Sequence, residues 1–442
     1  MSIAEWQIWP PRKSAEDCRT KRWRTVVIAG QNSTCIMTSI FGKLVVVTFM
    51  LSSIFGSRLS ALSDQSQSLV EGNTAFALDL YGQLKAKPGN LFFSPYSIST
   101  ALAMTYAGAR GDTEKQMARV FHFEKDPRLI HAGFGDLQQK LNETSQRGGI
   151  ELSIANALWT QTGHQFQPDF VEIAKRKYQA NLNQADFKTA AEAARSQINS
   201  WVAQKTKDKI PDILPSGSLN GLTRLVLANA IYFKGAWANP YDKAQTSVQP
   251  FHLSSDTQVD VQLMHHFENA KYMETTDFQA VELPYKSNEL SMVILLPRKL
   301  NGCGELETQM VPALLSRTLD QMKQQKIEIF LPRFKLESSL DLNNTLAKMG
   351  MPDAFGPKAD FSGIDGTRLL SISGVLHKAW GEVNEEGTEA AAATAVTVAT
   401  RAIIKPPPPP PVFRADHPFI FLIRDARDGS LLFLGRLANP AS

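Results

Sequence analysis

Residues 383–401, VNEEGTEAAAATAVTVATR, pull local folding preferences in two directions, and they restrict most what the remainder of the chain can be. The glutamates and alanines of the first half favour a helix. The β-branched residues from Thr394 to Thr400 favour a strand. Read with the strand period of two, one face carries Thr388, Ala390, Ala392, Thr394, Val396, Val398 and Thr400, all small and uncharged. The opposite face carries Glu389, Ala391, Ala393, Ala395, Thr397 and Ala399, with its single charge at Glu389. The first face can slide beneath a close-packed layer without steric or desolvation cost. A strand over 388–400 would span roughly 44 Å at about 3.4 Å per residue, which is long. Gly387 bounds it on one side and the proline run 406–411 lies just beyond the other.

From Gly72 to that proline run no linker, repeat or charge block divides the chain. Apolar spacing predicts helices over 73–84 and 97–109, the second entered through Ser94-Pro95 and left through Gly108 and Gly111. A third is predicted over 189–205, with Thr189 as N-cap and Trp201 on its apolar face. Aliphatic and aromatic runs predict strands over 152–159, 224–233, 280–283, 290–296, 326–331 and 419–424. Mixed elements without strict βαβ alternation predict an α+β fold, in one domain over 62–442 behind an extension, 1–61.

Charge and cysteine separate the same two parts. Residues 1–61 hold eight Lys or Arg and three acids, leaving 39 basic and 40 acidic residues in 62–442. The body is close to neutral, which argues against a nucleic-acid partner. Cys18 and Cys35 lie in the extension and Cys303 stands alone in the body, excluding a disulfide framework or Cys-rich zinc site there. The body must be stabilised by packing.

Residues 44–57, LVVVTFMLSSIFGS, are uncharged and follow Lys43. They are short for a membrane span and suited to the hydrophobic part of an export signal. Small residues follow at Ser57, Ser60 and Ala61, although Leu59 is a poor residue for signal peptidase at that spacing. If translation begins at Met37, residues 37–61 form a signal peptide with Lys43 as its positive end. The expectation is a secreted protein, or a periplasmic one if the source is a Gram-negative bacterium. The alternatives are an uncleaved anchor or a mis-assigned start.

Catalytic motifs are absent. There is no Gly-x-Ser-x-Gly, His-Glu-x-x-His, phosphate loop or spaced glycine fingerprint. His265 and His266 are adjacent, so on a strand they face opposite sides and cannot jointly hold a metal; they are expected to be exposed. His377, within the apolar run 369–380, is expected to be a hydrogen-bonded core residue. No enzyme, metal or cofactor is expected.

Four stretches in order then resemble the serpins over essentially all of 68–442. Residues 90–100, NLFFSPYSIST, resemble the family's second helix and its entry. Residues 227–237, LANAIYFKGAW, resemble the third strand of its main sheet. VLHKA at 375–379 with EEGTEAAAA at 385–393 is similar to the fifth strand and hinge. FRADHPFIFLIR at 413–424 resembles the C-terminal signature.

The resemblance implies about nine helices and three β-sheets, with an exposed reactive-centre loop over 387–411. It implies a suicide-substrate mechanism in which a protease cleaves the loop, the loop inserts into the main sheet, and the acyl-enzyme is trapped. The hinge falls on Glu385, Glu386, Gly387, Thr388, Glu389 and Ala390, Ala391, Ala392, Ala393. Sheet opening is controlled in the family by residues matching Ser94, Ser97, Asn229, His377 and Trp237. Family spacing from Gly387 puts the scissile bond at Arg401–Ala402. Local chemistry agrees, since the other basic residue, Lys405, precedes Pro406. An arginine there suits a trypsin-like serine protease with an acidic pocket floor.

The alternatives are inhibition of an Arg-specific papain-like cysteine protease, or a non-inhibitory carrier or chaperone. Prolines 406–411 read as a polyproline spacer of roughly 19 Å at about 3.1 Å per residue. Lys175-Arg176-Lys177 reads as a solvated face, so no glycosaminoglycan cofactor is expected, and the protein is expected to be a monomer. Asn142-Glu-Thr and Asn343-Asn-Thr are potential glycosylation sites.

Overall fold

The computed structural model describes residues 67–123, 126–386 and 408–442. It opens with a helix over 67–84 (α1), a short strand β1 (Leu91–Phe93) and helices α2 (Pro95–Tyr106), α3 (Gly111–Val120) and α4 (Pro127–Gln146). Strand β2 (Ile150–Gln161), α5 (Pro168–Tyr178), β3 (Asn181–Ala185), α6 (Ala191–Lys205) and β4 (Leu225–Gly235) follow. Then come β5 (Ser247–His252), β6 (Gln258–Glu274), β7 (Phe278–Pro284) and β8 (Leu290–Pro297). Helices α7 (Cys303–Gln309) and α8 (Pro312–Gln321) lead to β9 (Lys323–Pro332) and β10 (Phe334–Asp341). The chain closes with α9 (Asn343–Met349), α10 (Ser362–Asp365), β11 (Ile372–Val383), β12 (Val412–Arg414), β13 (Phe419–Asp425) and β14 (Leu431–Leu437).

The architecture is α+β, as expected. Every strand predicted among the described residues forms, each extended at one or both ends. Two sheets are present among the described residues rather than three. The reason is β6, which spans 17 residues and pairs in turn with β5, β9 and β7, stitching two smaller sheets into one of nine strands. The second sheet has five strands in the order β10-β11-β4-β2-β3.

Helix α2 lies between these sheets, against β14 on one side and β4 and β2 on the other. All its residues are buried, so its hydroxyls find partners inside the protein: Thr100 Oγ1 donates to the Tyr96 carbonyl at 2.7 Å and Thr105 Oγ1 to that of Ala101 at 3.2 Å, while Ser99 Oγ donates to Asn73 Oδ1 at 2.9 Å. It starts where Ser94-Pro95 predicts, with Ser94 as N-cap. It stops at Tyr106, short of the expected end, and Gly108 serves a close approach: a Cβ there would sit 2.2 Å from Ile364 Cγ1.

Helix α6 departs from expectation at its start. It begins at Ala191, and Thr189 is not the cap, because its N–H and hydroxyl both donate to the Asp186 carboxylate. Trp201 is half-buried, edge-on to Trp159 at 6.2 Å. No helix among the described residues is long and apolar enough to cross a membrane.

Candidate functional site

The five-stranded sheet contains a seam. Strands β10 and β11 are antiparallel, and so are β4 and β2, but β11 and β4 run parallel, with Ile372 opposite Leu225 and Gly381 opposite Phe233. A strand placed between them antiparallel to both would convert the seam into two antiparallel ladders. The segment leaving β11 beyond Val383 would reverse direction to do so.

A polar row crosses the seam at mid-sheet. Asn156 on β2 lies opposite Asn229 on β4, and Asn229 opposite His377 on β11. Beneath it sits the N-terminus of α2. The Ser94 backbone N–H donates to His377 Nε2 at 3.1 Å, which leaves the ring proton on Nδ1, bonded to Asn229 Oδ1. Asn229 Nδ2 donates to Ser97 Oγ at 2.6 Å and to the Ser97 carbonyl at 3.0 Å, and also reaches Asn156 Oδ1. Ser94 Oγ accepts from the Ser97 N–H at 3.1 Å and donates to the Leu432 carbonyl at 2.6 Å, tying the row to the nine-stranded sheet. Burial pushes the His377 pKa down to about 3, so the ring is neutral and its two nitrogens have distinct roles.

Ser94, Ser97, Asn229 and His377, expected to act together, are brought together. Asn156 belongs with them and was missed; its only signal is an amide inside the otherwise apolar stretch 154–159, as Asn229 is inside 225–233.

Trp237 lies apart from this row, just past the end of β4. Its Nε1–H donates to the Asn384 carbonyl at 2.9 Å, and its ring stacks on Tyr285 at 4.8 Å and 5°. Here β11 ends and the expected hinge begins. Glu385 is 1% exposed. Its carboxylate accepts from Thr246 Oγ1 at 2.5 Å and Arg333 Nε at 2.6 Å, and its carbonyl accepts from the Tyr241 N–H at 3.0 Å. Burial opposes ionisation of Glu385, but the hydrogen bonds from Arg333 and Thr246 outweigh it and hold the carboxyl below its usual range. Glu386 pairs with Lys243. Thr246, Arg333 and Tyr241 were not expected at this site, since nothing local in the sequence marks residues that meet only in the folded chain.

The remaining expected site residues, Gly387, Thr388, Glu389, Ala390–Ala393 and the Arg401–Ala402 bond, lie outside the described residues. So do residues 1–61 with the expected export signal. The expectation for His265 and His266 needs correction. They do face opposite sides of β6, but neither is freely exposed: His265 stacks on Phe330 at 4.4 Å, and His266 is buried against Tyr241 at 3.8 Å. The cause is the chain after β4, whose Tyr241 covers that side of β6.

A family model described as Serpin (serine protease inhibitor) matches residues 71–440. The leukocyte elastase inhibitor of Xenopus tropicalis is 41% identical over 385 residues, covering 85% of this chain and 100% of that protein. Serpin B3 of Homo sapiens is 38% identical over 393 residues, covering 84% of this chain and all of that protein. Among solved structures, uncleaved ovalbumin superposes with a TM-score of 0.76 at 30% identity, covering 84% of this chain and 100% of its own. Maspin does so with a TM-score of 0.77 at 29% identity, covering 85% and 100%.

Proposed function

The chain belongs to the serpin family, and on that premise we propose that it is a suicide-substrate inhibitor of trypsin-like serine endopeptidases, cleaved after Arg401. The observation carrying this reading is the parallel seam between β4 and β11, with no strand between them and a buried polar row holding it shut. Cleavage after Arg401 releases residues 387–401 from their tether at β12. The freed segment then enters the seam with Thr388, Ala390 and Ala392 inward. Ser94, Ser97, Asn229, His377 and Asn156 act as the latch, and Trp237, Thr246 and Arg333 hold the hinge until then. The partner is the protease itself, joined covalently to a monomeric inhibitor.

The relatives named leukocyte elastase inhibitor favour a second reading, in which an elastase-type enzyme cleaves at one of the small residues around 398–402. Incubation with trypsin, an elastase and an Arg-specific papain-like protease, followed by denaturing gels, separates these readings. The first expects a covalent complex with trypsin, lost in Arg401→Ala, and a released peptide starting at Ala402. The second expects the complex with elastase and its persistence in Arg401→Ala. Complete cleavage with no complex from any of them would overturn inhibition and leave a carrier or chaperone.

We further assign the body to one domain over 62–442 and residues 1–61 to an extension that exports it. The relatives align over their whole length with 84–85% of this chain, so the extension is additional to them. N-terminal sequencing of the mature protein tests this; a start near Leu62 is expected, and an intact extension on cell-retained protein would refute it.

A further inference from the structure

Two asparagines in the chain precede a glycine, Asn220 and Asn301, and both follow a leucine. Two aspartates, Asp365 and Asp428, also precede glycine. Glycine has no Cβ to shield its nitrogen, so that nitrogen can reach the side-chain carbonyl carbon of the residue before it. The fold guards three of the four steps. Gly302 N–H donates to the Lys299 carbonyl at 2.9 Å, Gly366 N–H to that of Ser362 at 2.8 Å, and Gly429 N–H to that of Asp425 at 2.9 Å. Each nitrogen can attack only after its N–H gives up that bond. Of the four, Gly221 alone has an N–H without a hydrogen-bond partner among the described residues, and it is exposed.

The Asn220 side chain favours the same reaction. Its Oδ1 accepts from the Leu222 N–H at 2.9 Å, which turns the side chain toward the Gly221 peptide. That N–H also sits on the oxygen where negative charge gathers when Cγ is attacked. Asn220 Nδ2, the leaving group, has no partner among the described residues, whereas Asn301 Nδ2 reaches Ser255 Oγ at 3.4 Å.

The turn holding Asn220 lies at the start of β4. Asn220 N–H donates to Thr223 Oγ1 at 3.1 Å, and Thr223 N–H to the Asn220 carbonyl at 3.0 Å. The next residue, Arg224, spans the sheet: its N–H donates to Ser373 Oγ of β11 at 2.9 Å, and its carbonyl accepts from Gln161 N–H of β2 at 3.2 Å.

We propose that Asn220–Gly221 is a self-modifying step of the folded protein, and that the change loosens the end of the seam furthest from the hinge. The Gly221 nitrogen gives its proton to base and bonds to Asn220 Cγ. The Cγ–Nδ2 bond breaks, and the amide nitrogen takes a proton from water and leaves as ammonia. Water then opens the cyclic imide. Opening at Cγ leaves aspartate in an ordinary main chain. Opening at the main-chain carbonyl leaves isoaspartate, whose backbone runs through Cβ and Cγ and is one methylene longer. The carbonyl that Thr223 N–H held is then a carboxylate off the main chain. The turn loses its register, the Arg224 tie to Ser373 slackens, and β4 parts from β11 more readily at its Leu225–Ile372 end. This coupling rests on the inhibitory reading; the modification itself does not.

The test incubates the intact chain in warm, mildly alkaline buffer, then maps its peptides by mass spectrometry and detects isoaspartate with an isoaspartate methyltransferase. Asn220 is expected to convert about fivefold or more faster than Asn301, the scale of one backbone hydrogen bond given up. In concentrated urea, where the two steps share only their Leu-Asn-Gly sequence, they should convert at similar rates. Equal rates in the folded chain, or the same difference in urea, overturn the site. Protein aged until half of Asn220 has converted is then cleaved, and insertion is followed with a fluorophore on the loop. A second, faster phase is expected, with an amplitude matching the isoaspartate fraction, and it should be absent from Asn220→Ser aged alongside. Serine keeps an oxygen for the Leu222 N–H, so the variant retains the turn. A single unchanged phase overturns the coupling. If fresh protein traps no protease, the inhibitory reading falls and the coupling with it, while the peptide map still decides the site.

Discussion

His377 is kept neutral by burial among uncharged partners, and this ties the stability of the intact form to pH. Its folded pKa, about 3, lies below the 6.5 of a free ring, so between these values the unfolded chain binds a proton that the folded chain refuses. Stability from this group is complete above pH 6.5 and is lost as pH falls toward 3, by at most about 1.4 kcal/mol per pH unit. His131 acts in the same direction, its pKa pushed down to about 4 by burial and then by the Lys177 charge. Urea unfolding of the intact chain at pH 6.5 and pH 5 should therefore show a lower midpoint at pH 5. His377→Gln should remove about half of that difference, and an unchanged difference would mean the ring is not the titrating group. Asn156 offers a second handle. Asn156→Ala removes an acceptor from Asn229 but leaves both Ser97 bonds, so a cost of about 1 kcal/mol is expected, with faster loop insertion. Stopped-flow measurement of insertion with a fluorophore on the loop checks the rate; slower insertion would contradict the latch.

Strand β11 and the segment after it are the element on which inhibition turns. A strand entering between β4 and β11 must bury alternate side chains against α2 and its surroundings, where there is no room or counter-charge for a large cation. Thr388→Arg places one at the first inward position, so insertion should stall and the protease escape by hydrolysis. The mutant is expected to be cleaved at the normal bond and to give little denaturation-resistant complex; trapping at full stoichiometry would refute insertion. Much of this element was legible beforehand, because 369–380 is an aliphatic run and the period-two reading of 388–400 exposes an uncharged face. The partners of β11 were not legible from its residues alone. Propensity does not say that its neighbour β4 lies parallel some 150 positions earlier, nor that Arg333 and Thr246 converge on Glu385. Strand β6 went unread for a related reason: its alternation of polar and apolar residues is interrupted in the middle by the paired histidines, and the burial of His266 is decided by Tyr241 from another segment. Thr189 failed as a cap because Asp186, three residues earlier, captures it first.

For the whole molecule, the sheet as it stands leaves a long strand's worth of backbone bonding unmade, and cleavage makes it available. A dozen or so new backbone bonds at about 1 kcal/mol each, net of solvent, give on the order of 10 kcal/mol, which exceeds the difference between most native proteins and their mutants. Spread over a domain of this size, where 1 kcal/mol moves the melting temperature by about 2 °C, the nicked protein should melt about 15–20 °C above the intact one. The intact form therefore persists because the route to the better-bonded state crosses the closed seam, and its lifetime is kinetic. Cys303 supplies an internal reporter of this difference. It is buried at the start of α7 and has no disulfide; burial, then the Glu307 charge, pushes its thiol up to about 12. Alkylation at neutral pH must wait for the fold to open. With Cys18 and Cys35 replaced by serine, iodoacetamide labelling during a temperature ramp should begin about 15–20 °C later in trypsin-nicked protein than in intact protein. Thr388→Arg, nicked at the same bond but unable to insert, should label at the temperature of the intact form. If nicked wild type and nicked Thr388→Arg label together, the stabilisation does not come from the inserted strand.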